Sequence, residues 1–198
     1  MNPIRGNTDV EYELAVQRGN ARRLLTLKKH KVKPPKRLIL FALIRKHPEI
    51  LELLQECGSN PNDADGFNET ALGYAINCCS VEIVEKLLKM GADPNMESTH
   101  LLPLIHASSD DKIEYVRVLL DNGADPNKFQ WNGLPPLIPA IRDGEIQVAR
   151  LLLEGGANPM LKGPDGKNAI QLARANKQID LVKVLKAFLK SSQKDTGT

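Results

Sequence analysis

Three cysteines among 198 residues, Cys57, Cys78 and Cys79, cannot build a disulfide framework, and two of them are adjacent. A reducing compartment is the simpler reading, which points to the cytoplasm with the nucleus open. Long apolar runs are missing too. The longest, Leu38 to Ile44, is seven residues against the roughly 18 that a membrane span needs. The opening Met1-Asn2-Pro3-Ile4-Arg5-Gly6-Asn7 has no apolar leader, so no secretory signal is expected. A glycine-rich phosphate loop and a Cys-x-x-Cys pair are both absent. The four histidines (His30, His47, His100, His106) stand apart, with no carboxylate or nucleophile at a recurring spacing. Asp63, Asp65, Asp93 and Asp125 are too widely spread for a calcium loop and suit turns instead. No enzyme, cofactor or metal is expected.

What is present is aliphatic and charged. Hydrophobic residues make up 41% and charged residues 26%, enough for a sizeable core. The net charge of +3 conceals an asymmetry: 12 Lys+Arg against 6 Asp+Glu over 1–62, 7 against 15 over 63–160, and 8 against 3 over 161–198. An acidic middle between basic ends is not the continuous basic face of a nucleic-acid binder. It suits a protein partner with basic and apolar features.

The dominant signal is repetition. Leu87-Leu88-Lys89-Met90-Gly91-Ala92-Asp93-Pro94-Asn95 is echoed by Leu119 to Asn127 and by Leu152 to Met160. A weaker copy, Gly58-Ser59-Asn60-Pro61-Asn62, precedes them. The glycines are 32 or 33 residues apart, a period that marks a repeat protein. Seven residues before each glycine stands Leu51, Val84, Val116 or Ala149, and nine before each of those an alanine: Ala42, Ala75, Ala107, Ala140. Ala173 with Val182 and Ala15 with Leu24 extend the series to degenerate ends.

Each unit reads as two short helices, the second with apolar residues in a helical stripe. Gly91, Gly123 and Gly156 stand where a helix closes in the left-handed conformation, and Ala-Asp-Pro-Asn then opens a turn. Pro48 fits the first turn of its helix, where no N–H is required. Cys78-Cys79 is expected in the corner between two helices.

These units resemble the ankyrin repeat family over roughly residues 9–189. The family's Thr-Pro-Leu-His box is degenerate, as in Thr70-Ala71-Leu72-Gly73, and no unit keeps its histidine. The resemblance implies an all-α solenoid of six helix pairs joined by hairpin-like turns, over about 9–31, 32–64, 65–97, 98–129, 130–162 and 163–189. A flexible tail is expected over 190–198. It also implies a non-catalytic adaptor, scaffold or inhibitor, monomeric alone, with no direct nucleic-acid or membrane partner and no room for a second domain. A secreted effector of an intracellular bacterium and a thiol sensor using Cys78 and Cys79 are the alternatives.

The resemblance implies that a partner is bound through hairpin tips and the concave face, where the expected contact residues are Phe67, Glu69, Asn77, Leu101, Asp110, Phe129, Trp131, Leu134, Arg142 and Asp143. Phe67, Phe129 and Trp131 fall in turns that no helix pattern needs, and large rings there suit interface anchors. Lys28, Lys29, Lys31, Lys33, Lys36 and Arg37 crowd a proline-bearing connection. They read as an import signal, an anionic-surface contact or a merely solvated loop.

Overall fold

The computed structural model describes residues 8–99, 101–109 and 112–195. Twelve α-helices lie among them, in consecutive antiparallel pairs. The chain groups into two compact units, Met1–Thr99 and His100–Thr198. The first holds α1 (Thr8–Gln17), α2 (Ala21–Lys29), α3 (Leu38–Ile44), α4 (Leu51–Glu56), α5 (Ala71–Cys78) and α6 (Val81–Lys89). The second holds α7 (Pro103–Ser109), α8 (Ile113–Asp121), α9 (Leu137–Asp143), α10 (Ile146–Glu154), α11 (Ala169–Ala175) and α12 (Ile179–Asp195). Pro48 opens a 3-10 turn, Pro48–Ile50, that leads into α4.

Within each unit first helices pack on first helices: α1 on α3 and α3 on α5, then α7 on α9 and α9 on α11. The periodic alanines are what lets them approach. Ala15, Ala42, Ala75, Ala107, Ala140 and Ala173 are all buried, and anything larger would overfill these contacts. Leu24, Leu51, Val84, Val116 and Ala149 bury the matching stripe of the second helices. The last pair departs from this register, because Leu181 and Leu185 carry its core while Val182 is half-buried.

The second helices end as their glycines require. Gly91, Gly123 and Gly156 have φ of 90°, 85° and 95°, and the residue after each bonds back across the helix end, as in Ala92 N–H to Leu87 O at 3.0 Å. The turn that follows is locked twice. Asp93 and Asp125 accept from the amide two residues on, at 2.8 Å in both cases; turn chemistry therefore accounts for these carboxylates. Asparagine then bridges successive repeats. Asn62 Nδ2 donates to Gly91 O at 3.0 Å while its Oδ1 accepts from Asp93 N–H at 2.7 Å. Asn127 makes the same pair of bonds to Gly156 and Asn158, at 2.9 and 2.7 Å.

Two local expectations need correction. Cys78 closes α5 and only Cys79 caps it, in an extended conformation (φ −118°). At the same register Gly19, Lys46, Gly144 and Lys177 turn left-handed; this corner keeps a helical Cys79 N–H to Ala75 O bond instead. The polar C-terminal segment also departs from the expected tail, since α12 continues to Asp195.

Candidate binding surface

Three hairpins of one build project from the helix pairs. In the first unit Ala64 pairs with Thr70, and Asp65 N–H bonds to Glu69 O at 3.0 Å. The Asp65 carboxylate accepts from the amides of Phe67 and Glu69, at 2.8 and 2.9 Å. Asn68 closes the tip with φ of 62°. In the second unit Gln130 N–H bonds to Leu134 O at 3.0 Å and Gly133 N–H to Gln130 O at 2.8 Å. Gly163 and Lys167 repeat that frame at 2.9 Å.

Such a frame holds its two tip residues outward without pocketing them. Phe67 is 83% exposed and Trp131 70%, the two most exposed large apolar side chains among the described residues after none but each other. Phe129, on the approach to the second tip, is 45% exposed. Backbone bonds, with the Asp65 carboxylate in the first hairpin and the Asn132 side-chain oxygen in the second, fix the main chain under each ring, so little backbone order would be lost on binding.

The other expected contact residues divide. Asn77 lies exposed near the C-terminal end of α5. Arg142 and Asp143, both exposed, bind each other at 3.1 Å and cover part of each other's charge. Glu69 is structural: it accepts from the Ser98 hydroxyl at 2.9 Å and is half-buried. Leu101 and Leu134 are half-buried as well, which leaves the rings as the exposed apolar feature of the tips. Asp110 lies outside the described residues.

The basic connection is tethered at both ends. Lys28 pairs with Glu56 at 2.7 Å and Arg37 with Glu13 at 3.9 Å. Between them Tyr12 donates its hydroxyl to Val32 O at 2.7 Å. Lys29, Lys31, Lys33 and Lys36 project into solvent. Sequence reasoning missed the exposed aliphatics of this unit, Val10, Leu14, Leu25 and Ile44.

Cys57 and Cys79 are half-buried, while Cys78 is exposed. Burial pushes the Cys79 thiol up, with Cys78 adding to it. Burial likewise raises Cys57, against a smaller opposing pull from Lys28. A raised thiol is mostly protonated near neutrality and a poor nucleophile. Among the described residues no group of three metal-ligating side chains converges, and no helix is long and apolar enough to cross a membrane.

Comparison with known proteins agrees with this architecture. A family model described as ankyrin repeats matches in three copies, over residues 13–98, 38–130 and 104–195. An ankyrin repeat domain from Acinetobacter baumannii AYE superposes with a TM-score of 0.79 at 24% identity, covering 89% of this chain and 96% of that one. Ankyrin repeat and KH domain-containing protein mask-1 of Caenorhabditis elegans is 34% identical over 156 residues, which is 78% of this chain and 6% of that protein. Glycerophosphocholine phosphodiesterase gde1 of Schizosaccharomyces pombe is 33% identical over 102 residues, 50% of this chain and 9% of that protein. The chain thus spans less than a tenth of the length of either curated relative.

Proposed function

Since the chain belongs to the ankyrin repeat family, whose arrays are generally protein-interaction modules, we propose that it acts as a non-catalytic adaptor, scaffold or inhibitor that grips a partner protein with its hairpin tips. The observation that carries this reading is the exposure of Phe67 and Trp131 on hydrogen-bonded turns. In a chain with 4% aromatic residues, two large rings leave most of their surface exposed at the hairpin tips. A partner's pocket would bury that surface, on the order of 150–250 Å² per ring.

Charge supports the choice of partner. Residues 63–160, which supply both tips, carry 7 Lys+Arg against 15 Asp+Glu. A partner face with basic residues around an apolar pocket would be steered to them and then held by the rings.

Affinity capture with the intact chain, read by mass spectrometry against a Phe67→Ala/Trp131→Ala double variant, tests the reading. A protein retained by the first and lost from the second is the expected result. Identical captures from both, with the variant folded, would place the binding face elsewhere.

A further inference from the structure

The first unit carries a second exposed surface that the hairpin tips do not use. Residues 8–46 contain eleven Lys and Arg against three acids, Asp9, Glu11 and Glu13. The acids are engaged: Glu11 binds Arg23 at 2.6 Å, Glu13 binds Arg37, and Asp9 has its own interaction. Arg18, Arg22, Lys29, Lys31, Lys33, Lys36 and Lys46 have no acid partner among the described residues.

Two of these cations sit where side chains are disfavoured. Lys31 has φ of 54° and occupies the helix-end position that Gly58 and Gly91 fill in the following repeats, with the same bond from the next amide, Val32 N–H to Leu27 O. Lys46 has φ of 62° at the corner position held elsewhere by Gly19 and Gly144. A left-handed conformation is unfavourable for any residue with a Cβ. Glycine would relieve it and would lose the charge.

Aliphatic side chains are interleaved with the cations. Val10, Leu14 and Leu25 are 43–52% exposed. They lie on α1 and α2, whose main contacts among the described elements are with each other, α3 and α4. Leu14 and Arg18 are one turn apart, as are Arg22, Leu25 and Lys29. A polar cap would be expected on the end of a repeat array; this one mixes cations with apolar side chains and, among the described residues, exposes the His30 imidazole but no Phe, Tyr or Trp ring.

From this we infer that the basic outer face of α1, α2 and the 30–37 connection docks on an anionic lipid surface. The cations would meet headgroup phosphates and carboxylates while Val10, Leu14 and Leu25 reach the acyl boundary. Single-stranded nucleic acid fits less well, because it needs exposed aromatic platforms for its bases. The basic last helix pair, with 8 Lys+Arg against 3 acids over 161–198, would repel this face, so a second copy stacked end to end fits less well too.

Vesicle co-sedimentation of the full chain tests it, with phosphatidylcholine alone against the same lipid containing about 30% phosphatidylserine. Binding is expected to the anionic vesicles only, weakening between about 0.1 M and about 0.5 M salt. Lys29→Gln/Lys31→Gly should weaken partitioning at least about tenfold, from about fivefold per charge removed, while melting is unchanged or raised. Leu14→Ser/Leu25→Ser should weaken vesicle binding and leave heparin binding intact. Equal binding to both vesicles would overturn the inference. So would vesicle binding untouched by the lysine variant. Binding to heparin or polyglutamate without binding to vesicles would assign the face to a nucleic acid or an acidic protein instead.

Discussion

Ser98 occupies the space that a side chain at Gly73 would need: a Cβ there would overlap the Ser98 hydroxyl. That hydroxyl accepts from Thr70 N–H at 2.9 Å and donates to Glu69 Oε1 at 2.9 Å. Thr70 in turn caps α5 through Gly73 N–H at 3.0 Å. Position 73 ends the box in which the family carries histidine. Here the bond between neighbouring hairpins comes from the far side, supplied by a serine 29 residues on.

Gly73→Ala should therefore destabilise by about 1–3 kcal/mol through overpacking. Ser98→Ala should cost about 1–3 kcal/mol by leaving the buried Thr70 amide unpaired. A Gly73→Ala/Ser98→Gly variant should fall short of the sum of its single variants, by about 1 kcal/mol, because glycine at 98 removes both the hydroxyl and the Cβ that alanine at 73 would meet. Strict additivity in chemical denaturation would show that the two positions do not touch.

Gly91, Gly123 and Gly156 isolate the conformational cost, since a Cβ at any of them meets nothing within 4 Å. Alanine at each should lower stability by about 1–2 kcal/mol, all of it from the left-handed backbone. Unchanged melting in all three would remove the helix-end argument.

Asn62→Ala and Asn127→Ala each remove a two-bond bridge between neighbouring repeats. Each should lose about 1–3 kcal/mol, with Asn→Asp recovering part by keeping the acceptor. Limited proteolysis should show cleavage first in the turn that lost its bridge. A variant as resistant as the parent would mean that the bridge adds nothing.

Tyr12 gives a pH signature. Burial, reinforced by Cys57, pushes its hydroxyl up to about 12 from the ordinary 10. The folded state therefore holds this proton more tightly than the unfolded chain does. Its contribution is complete below pH 10 and is lost as pH rises toward 12. Tyr12→Phe should reduce the fall in melting temperature across that range, leaving a smaller fall from Tyr74, which burial also raises. An identical alkaline profile in the variant would separate the fold from this titration.

The repeat, the buried alanines and the left-handed glycines were legible because each recurs at a fixed offset, and a local backbone demand recurs with it. Phe67 and Trp131 were legible because no helical register claims them. The structural bond of Glu69 was not legible, since its partner Ser98 lies in the next hairpin and nothing local reveals it. Leu101 and Leu134 look like the rings beside them in sequence, yet they are half-buried. Val10, Leu14 and Leu25 follow the same helical spacing as core residues. Their exposure is set by which helices pack beside α1 and α2, which spacing alone does not show. Sequence spacing puts Cys78 in a corner, but the helix extends to include it.

The central claim is that the hairpin rings bind and do not staple the fold, and Trp131 decides it. Partner affinity and thermal melting should be measured together for the parent chain and for Trp131→Ala. An anchor of this kind costs about 2 kcal/mol or more when truncated, so affinity should fall by roughly thirtyfold while circular dichroism and melting stay nearly unchanged. Intact binding with a lowered melting point would contradict the account, because it would make Trp131 a brace for its own hairpin.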